Sequence, residues 1–100
     1  MRETTIDQIP TAIQDGATLV DVREPAEFRD GHIPGAVNIP MGQLSARLDE
    51  IDRSRPVCVV CASGNRSAAM TEVLTAAGYD AANVVGGTRA WIESGRPTEK

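Results

Sequence analysis

Apolar positions along this chain alternate between short β-branched runs and longer stretches with helical spacing. Thr18-Leu19-Val20-Asp21-Val22, Val37-Asn38-Ile39 (ended by Pro40), Val57-Cys58-Val59-Val60 and Asn83-Val84-Val85 are predicted as strands, and Thr4-Thr5-Ile6 as a short edge strand. Val57–Val60 carries no polar interruption, as expected of a strand buried on both faces. Between the runs, Asp7 is read as the cap of a helix ending near Gly16, with Ile9 and Ile13 on one face. Pro25 starts a short helix to Arg29, which Asp30-Gly31 stops. Leu44, Leu48 and Ile51 predict a helix over Gln43–Ile51. Ala69, Met70, Val73, Leu74 and Ala77 predict the buried stripe of a helix from Arg66 to Ala77, stopped by Gly78. Gly86-Gly87 breaks the last strand and Thr88–Glu93 begins a final helix. Strands alternating with helices imply an α/β fold: one domain over residues 1–100, with a central, mostly parallel sheet of four to five strands and helices on both faces.

Composition narrows the function classes. A chain of 100 residues buries roughly two-thirds of its unfolded surface, enough for one core without staples. With Phe28, Tyr79 and Trp91 as its only aromatics, it has no stacking platform for nucleic acid. A net charge of -4 and no Lys/Arg cluster oppose a polyanionic partner. Any anionic substrate must be small and captured locally. The N-terminus lacks an apolar signal region and no apolar run approaches membrane-spanning length, so the chain reads as cytoplasmic, with no membrane partner.

Candidate chemistry concentrates in Cys61-Ala62-Ser63-Gly64-Asn65-Arg66-Ser67. Cys61 closes a strand at its carboxyl end, where open α/β sheets place their sites. The residues after it are small enough for their backbone N–H groups to turn inward, and the following helix adds the partial positive charge of its N-terminus. Such a loop stabilises a thiolate or a bound anion, so Cys61 is read as a nucleophile rather than an inert buried thiol in an electropositive, partly exposed setting. Arg66 closes the loop and suits anion binding or loop bracing. Ser63 and Ser67 are either hydroxyl donors or ordinary turn residues, and Gly64 suits a backbone position with φ > 0. Cys58 and Cys61 form a C-x-x-C, but on one extended strand their Cα atoms lie roughly 10 Å apart, beyond the roughly 7 Å limit for a disulfide. Zinc would need further ligands, and His32 is the only other histidine or cysteine; no metal or other cofactor is expected. Cys58 is then a small core hydrophobe.

The motifs Asp21-Val22-Arg23-Glu24-Pro25-Ala26-Glu27-Phe28, Gly31-His32-Ile33-Pro34-Gly35-Ala36-Val37-Asn38-Ile39-Pro40, the Cys61–Arg66 loop and Gly86-Gly87-Thr88-Arg89-Ala90-Trp91, in this order, resemble a single-domain rhodanese along essentially the whole chain. The resemblance implies a doubly wound α/β domain with sulfurtransferase activity. Cys61 would take the outer sulfur of a small anionic donor such as thiosulfate and pass it, as a persulfide, to cyanide, a thiol or a sulfur-carrier protein. It keeps Arg23 as a candidate substrate contact, although bracing of the adjacent loop by an Asp21–Arg23 ion pair is the stronger reading. It assigns His32 to the fold, with Arg89 structural and Trp91 packed on the core.

Two rivals remain. Phosphatase-like relatives of this fold have a loop one residue longer. The four residues between Cys61 and Arg66 make a tighter ring, better suited to a single sulfur than to a phosphoryl group. The other rival is a protein-to-protein persulfide relay or a non-catalytic binding module, for which the acidic chain suits a partner with a basic patch.

Overall fold

The computed structural model describes residues 1–100. Five strands, β1 (Glu3–Thr4), β2 (Thr18–Asp21), β3 (Val37–Asn38), β4 (Val57–Val60) and β5 (Ala81–Val84), form one sheet in the order β1-β5-β4-β2-β3. Every pairing is parallel, and Asp21 of β2 sits beside Val60 of β4. The helices are α1 (Ile9–Gln14), α2 (Pro25–Arg29), α3 (Asn65–Ala76) and α4 (Gly87–Glu93). No helix is long and apolar enough to cross a membrane.

The strand order reverses direction at the centre: β2 connects outward to β3, whereas β4 connects outward to β5 on the other side. The crevice beyond the carboxyl ends of β2 and β4 is the switch point at which such sheets place ligands. Both faces of the sheet are covered. Val57, Val59 and Cys61 point into one cluster with Val20, Val22, Leu44, Leu74 and Tyr79, while Cys58 and Val60 point into the other with Ile9, Leu19, Ile33, Val84 and Trp91. The period-two alternation of a strand thus sends the two cysteines to opposite faces, and both thiols are free.

Several elements differ from their predicted form. Helical structure near the N-terminus starts at Ile6 as a 3₁₀ turn and becomes α1 only at Ile9. Pro10 lies in the first turn of α1, where its missing N–H costs nothing. Thr5, not Asp7, occupies the cap, its N–H donating to Gln8 Oε1 at 3.4 Å; Asp7 instead accepts from Arg96 at 2.6 Å. The predicted helix over 43–51 is a 3₁₀ segment over Met41–Glu50, broken at Arg47 (φ −120, ψ 23). Spacings of four and three suit either helix type, and the break lets Leu44, Leu48 and Ile51 all reach the same cluster. In α3 the fully buried residues are Ser67, Thr71 and Leu74, and Ala69 is exposed. The buried hydroxyls are tolerated because each has a partner; Thr71 Oγ1 donates to Ser67 O at 2.7 Å.

Beyond α4 the chain folds back. Trp91 Nε1 donates to Pro97 O at 2.8 Å, and His32 and Glu99 exchange two backbone hydrogen bonds of 2.8 and 2.9 Å. The ring of His32 stacks on Phe28 with centroids 3.6 Å apart, and its Nδ1 bonds the Phe28 carbonyl at 2.9 Å, an arrangement that fixes a turn.

Candidate active site

Cys61 is the first residue past β4, and α3 begins four residues later, so the loop 62–64 must reverse the chain over the sulfur. Gly64 makes this turn with φ 109 and caps α3. Its N–H lies 3.1 Å from Cys61 Sγ, and Ser67 Oγ, one turn into α3, lies 3.3 Å away. Burial works against a charged sulfur here. Hydrogen bonds from the Ser67 hydroxyl and from the N–H groups of Ser67, Gly64 and Ser63 outweigh it, and the thiol is pushed below its ordinary value. Cys58, with no such donors, is pushed up by burial and by the nearby charge of Asp80.

The loop is held from behind by α4. Thr88 N–H donates to Cys61 O at 2.9 Å and Arg89 N–H to Ala62 O at 3.0 Å. Because a trans peptide sets its C=O and N–H in opposite directions, anchoring the Ala62 carbonyl on α4 aims the Ser63 N–H toward the sulfur. This approach demands glycine at position 87, where a Cβ would lie 2.6 Å from the carbonyl oxygens of both Cys61 and Ala62.

Not all of the predicted residues converge on the sulfur. The side chain of Ser63 belongs to an exposed residue, and its contribution to Cys61 comes through its N–H. Asn65 is exposed at the start of α3, and Ala62 acts through its carbonyl. Arg66 turns to α2, where its guanidinium makes a two-pronged ion pair with Glu27 at 2.7 and 2.9 Å. Those hydrogen bonds hold the Glu27 carboxyl down to about 2 and push Arg66 up. Asp21 and Arg23 pair with each other, Arg23 Nη2 lying 2.9 Å from Asp21 Oδ2 and 2.9 Å from Gly31 O. Both are buried, so the pair fixes the β2–α2 connection. Cys61 itself is 1% exposed rather than partly exposed, because its side chain joins the cluster beneath α3 and the loop closes over it. A depression of about 250 Å³ bounded by Ser63, Gly64, Asn65, Ala68 and Asn83 lies against the outside of the loop and does not reach Cys61.

Sequence reasoning missed Glu27 and Asn83. The first lies 39 residues from Arg66 and the second 16 from Ser67. A buried amide within an apolar strand was the available signal for Asn83.

The parallel α/β sheet places Cys61 at its switch point, beneath inward N–H groups of the loop and of α3. Residues 5–94 match the Rhodanese-like domain, and the chain belongs to this family. It is 43% identical to the uncharacterized protein YqhL of Bacillus subtilis over 76 residues, 75% of this chain and 60% of that one. A sulfurtransferase of Allochromatium vinosum is 41% identical over 79% of this chain and 75% of its own length. A rhodanese-related protein from Thermoplasma volcanium superimposes with a TM-score of 0.92 at 36% identity, covering 99% of this chain and 98% of that one.

Proposed function

We propose that the chain is a sulfurtransferase that carries sulfane sulfur as a persulfide on Cys61. The observation that supports this most is the set of donors gathered on one sulfur, with Gly64 N–H at 3.1 Å and Ser67 Oγ at 3.3 Å. The backbone N–H groups among them are fixed dipoles that need no reorganisation when charge arrives. The thiolate attacks the outer sulfur of thiosulfate; a new S–S bond forms to Cys61, the donor's S–S bond breaks, and sulfite leaves with the electron pair. An acceptor thiolate or cyanide then attacks the terminal sulfur and releases Cys61 as a thiolate. Neither step needs a metal, a cofactor or a separate base once the Cys61 thiol has lost its proton to solvent. A free thiolate of this kind works in a reducing compartment such as the cytoplasm.

Cys61→Ala abolishes thiosulfate:cyanide turnover and leaves the fold intact, whereas Cys58→Ala keeps most of the activity. Intact mass after incubation with the donor gains one reducible sulfur in the wild type and none in Cys61→Ala. Retained turnover in Cys61→Ala, or hydrolysis of an aryl phosphate in place of sulfur transfer, defeats the proposal.

One observation favours a relay between proteins over general turnover of free thiosulfate. Residues 62–65 carry no positive charge, and Arg66, the cation that closes the loop, is paired with Glu27. The putative sulfur carrier protein YrkF of Bacillus subtilis is 35% identical over 77% of this chain, which supports a protein acceptor or donor.

A further inference from the structure

Ser67 Oγ lies 2.6 Å from Asn83 Oδ1 and 3.3 Å from Cys61 Sγ, yet a hydroxyl has one proton to donate. The orientation of the amide is fixed by its other end. Asn83 Nδ2 donates to Gly64 O at 3.3 Å, and a carbonyl only accepts, so Oδ1 must face Ser67. Cys61, Ser67 and Asn83 are 1%, 0% and 5% exposed, which leaves bulk water no part in the contest.

We propose that Asn83 is a positioning residue for the Cys61 sulfur: its side-chain oxygen and that sulfur compete for the single Ser67 proton, so the amide sets how readily the sulfur is held as an anion. With the thiol neutral, Ser67 donates to Asn83 and its lone pair accepts the S–H. On ionisation the S–H proton leaves to solvent, the Ser67 hydroxyl turns to the sulfur, and Asn83 Oδ1 loses its donor in a buried place. The amide therefore favours the resting thiol by about one hydrogen bond, while its Nδ2 keeps Gly64 in place for the sulfur. When charge moves out to the terminal sulfur of a persulfide, the proton returns to Asn83. This last step rests on the function proposed above; the competition itself does not.

The charged groups around the sulfur are Arg66, paired with Glu27 of α2, and the Asp21–Arg23 pair at the end of β2. Neither pair is hydrogen-bonded to Asn83, whose side chain bonds Ser67 and Gly64, so neither accounts for a difference between its variants.

The test is the rate of Cys61 alkylation by iodoacetamide across pH in the full chain, followed by the mass of the Cys61 peptide. At a fixed pH below the midpoint, Asn83→Ala raises the rate about three- to tenfold, the worth of one hydrogen bond, and moves the midpoint to lower pH. Asn83→Leu, similar in size and also without the acceptor, does the same, which covers failure of the alanine variant to fold. Asn83→Asp, whose carboxylate holds the proton harder, slows alkylation and moves the midpoint up. In a Ser67→Ala background the change at Asn83 to Ala or Leu no longer raises the rate or lowers the midpoint. A midpoint unmoved or raised by Asn83→Ala or Asn83→Leu, or an equal shift without Ser67, overturns the proposal. Because the readout involves no sulfur donor, absence of persulfide in the wild type would defeat the sulfurtransferase reading while leaving this one standing.

Discussion

The Arg66–Glu27 pair shows how one residue's partner decides its role. A guanidinium free at the mouth of the loop would attract a dianion, but here its fork is filled by a carboxylate, and α2 is tied to the start of α3. Glu27 titrates at about 2 in the folded chain against an ordinary 4.5. Its folded value is depressed, so the stability that it adds is fully present above about pH 4.5 and is lost as pH falls toward 2. Both side chains are about one-third exposed, which keeps the contribution modest. The melting temperature of the wild type should therefore fall toward that of Glu27→Gln as pH is lowered through this window. A difference that stays constant from pH 5 to 2 would show that the pair does not act this way. Arg23 has the opposite setting: its carboxylate partner is wholly buried, so its work is to keep that charge matched.

Among the elements, α4 has the least obvious task. It was legible as a helix after a glycine break, but the N–H groups of Thr88 and Arg89 act on carbonyls 27 residues upstream (88 − 61 and 89 − 62), a relation that local pattern cannot carry. Gly87→Ala sets a methyl group 2.6 Å from two backbone oxygens at φ +62, so the loop must move. A loss of about 1–3 kcal/mol, seen as a lower melting temperature, should accompany slower alkylation of Cys61; an unchanged alkylation rate would separate α4 from loop geometry. The strands were the most legible elements, since β-branched runs such as Val57–Val60 have no competing structure. The face of α3 was read in part: Met70, Leu74 and Ala77 pack on the core as expected and Ala69 does not, while Ser67 and Thr71 look like surface residues until Cys61, Asn83 and the Ser67 carbonyl are seen to satisfy them. The position of Cys61 at the end of the central strand was readable in advance. The alliances of Arg66 and Ser67 were not, because each depends on a residue from a distant strand or helix.

For the whole molecule, a net charge of -4 surrounds a site whose loop-closing cation, Arg66, is already paired. A small dianion approaches against this field and finds the Arg66 fork already filled, so KM for thiosulfate should be high and should fall modestly as salt rises from low to physiological strength. Saturation at low micromolar thiosulfate, or a KM that rises steeply with salt as a basic capture site would give, contradicts this. A protein partner with a basic patch meets the same field favourably.

The alternation of β4, continued one residue past its end, sends Cys58 and Cys61 to opposite sides of the sheet. Cys58 therefore cannot discharge a sulfur atom loaded on Cys61, and the chain has no other thiol. On the proposed function, a sulfur atom taken on at Cys61 would have no second cysteine of this chain to pass to. Its lifetime would then be set by the arrival of an acceptor from outside, which would make the loaded form a reservoir as much as an intermediate.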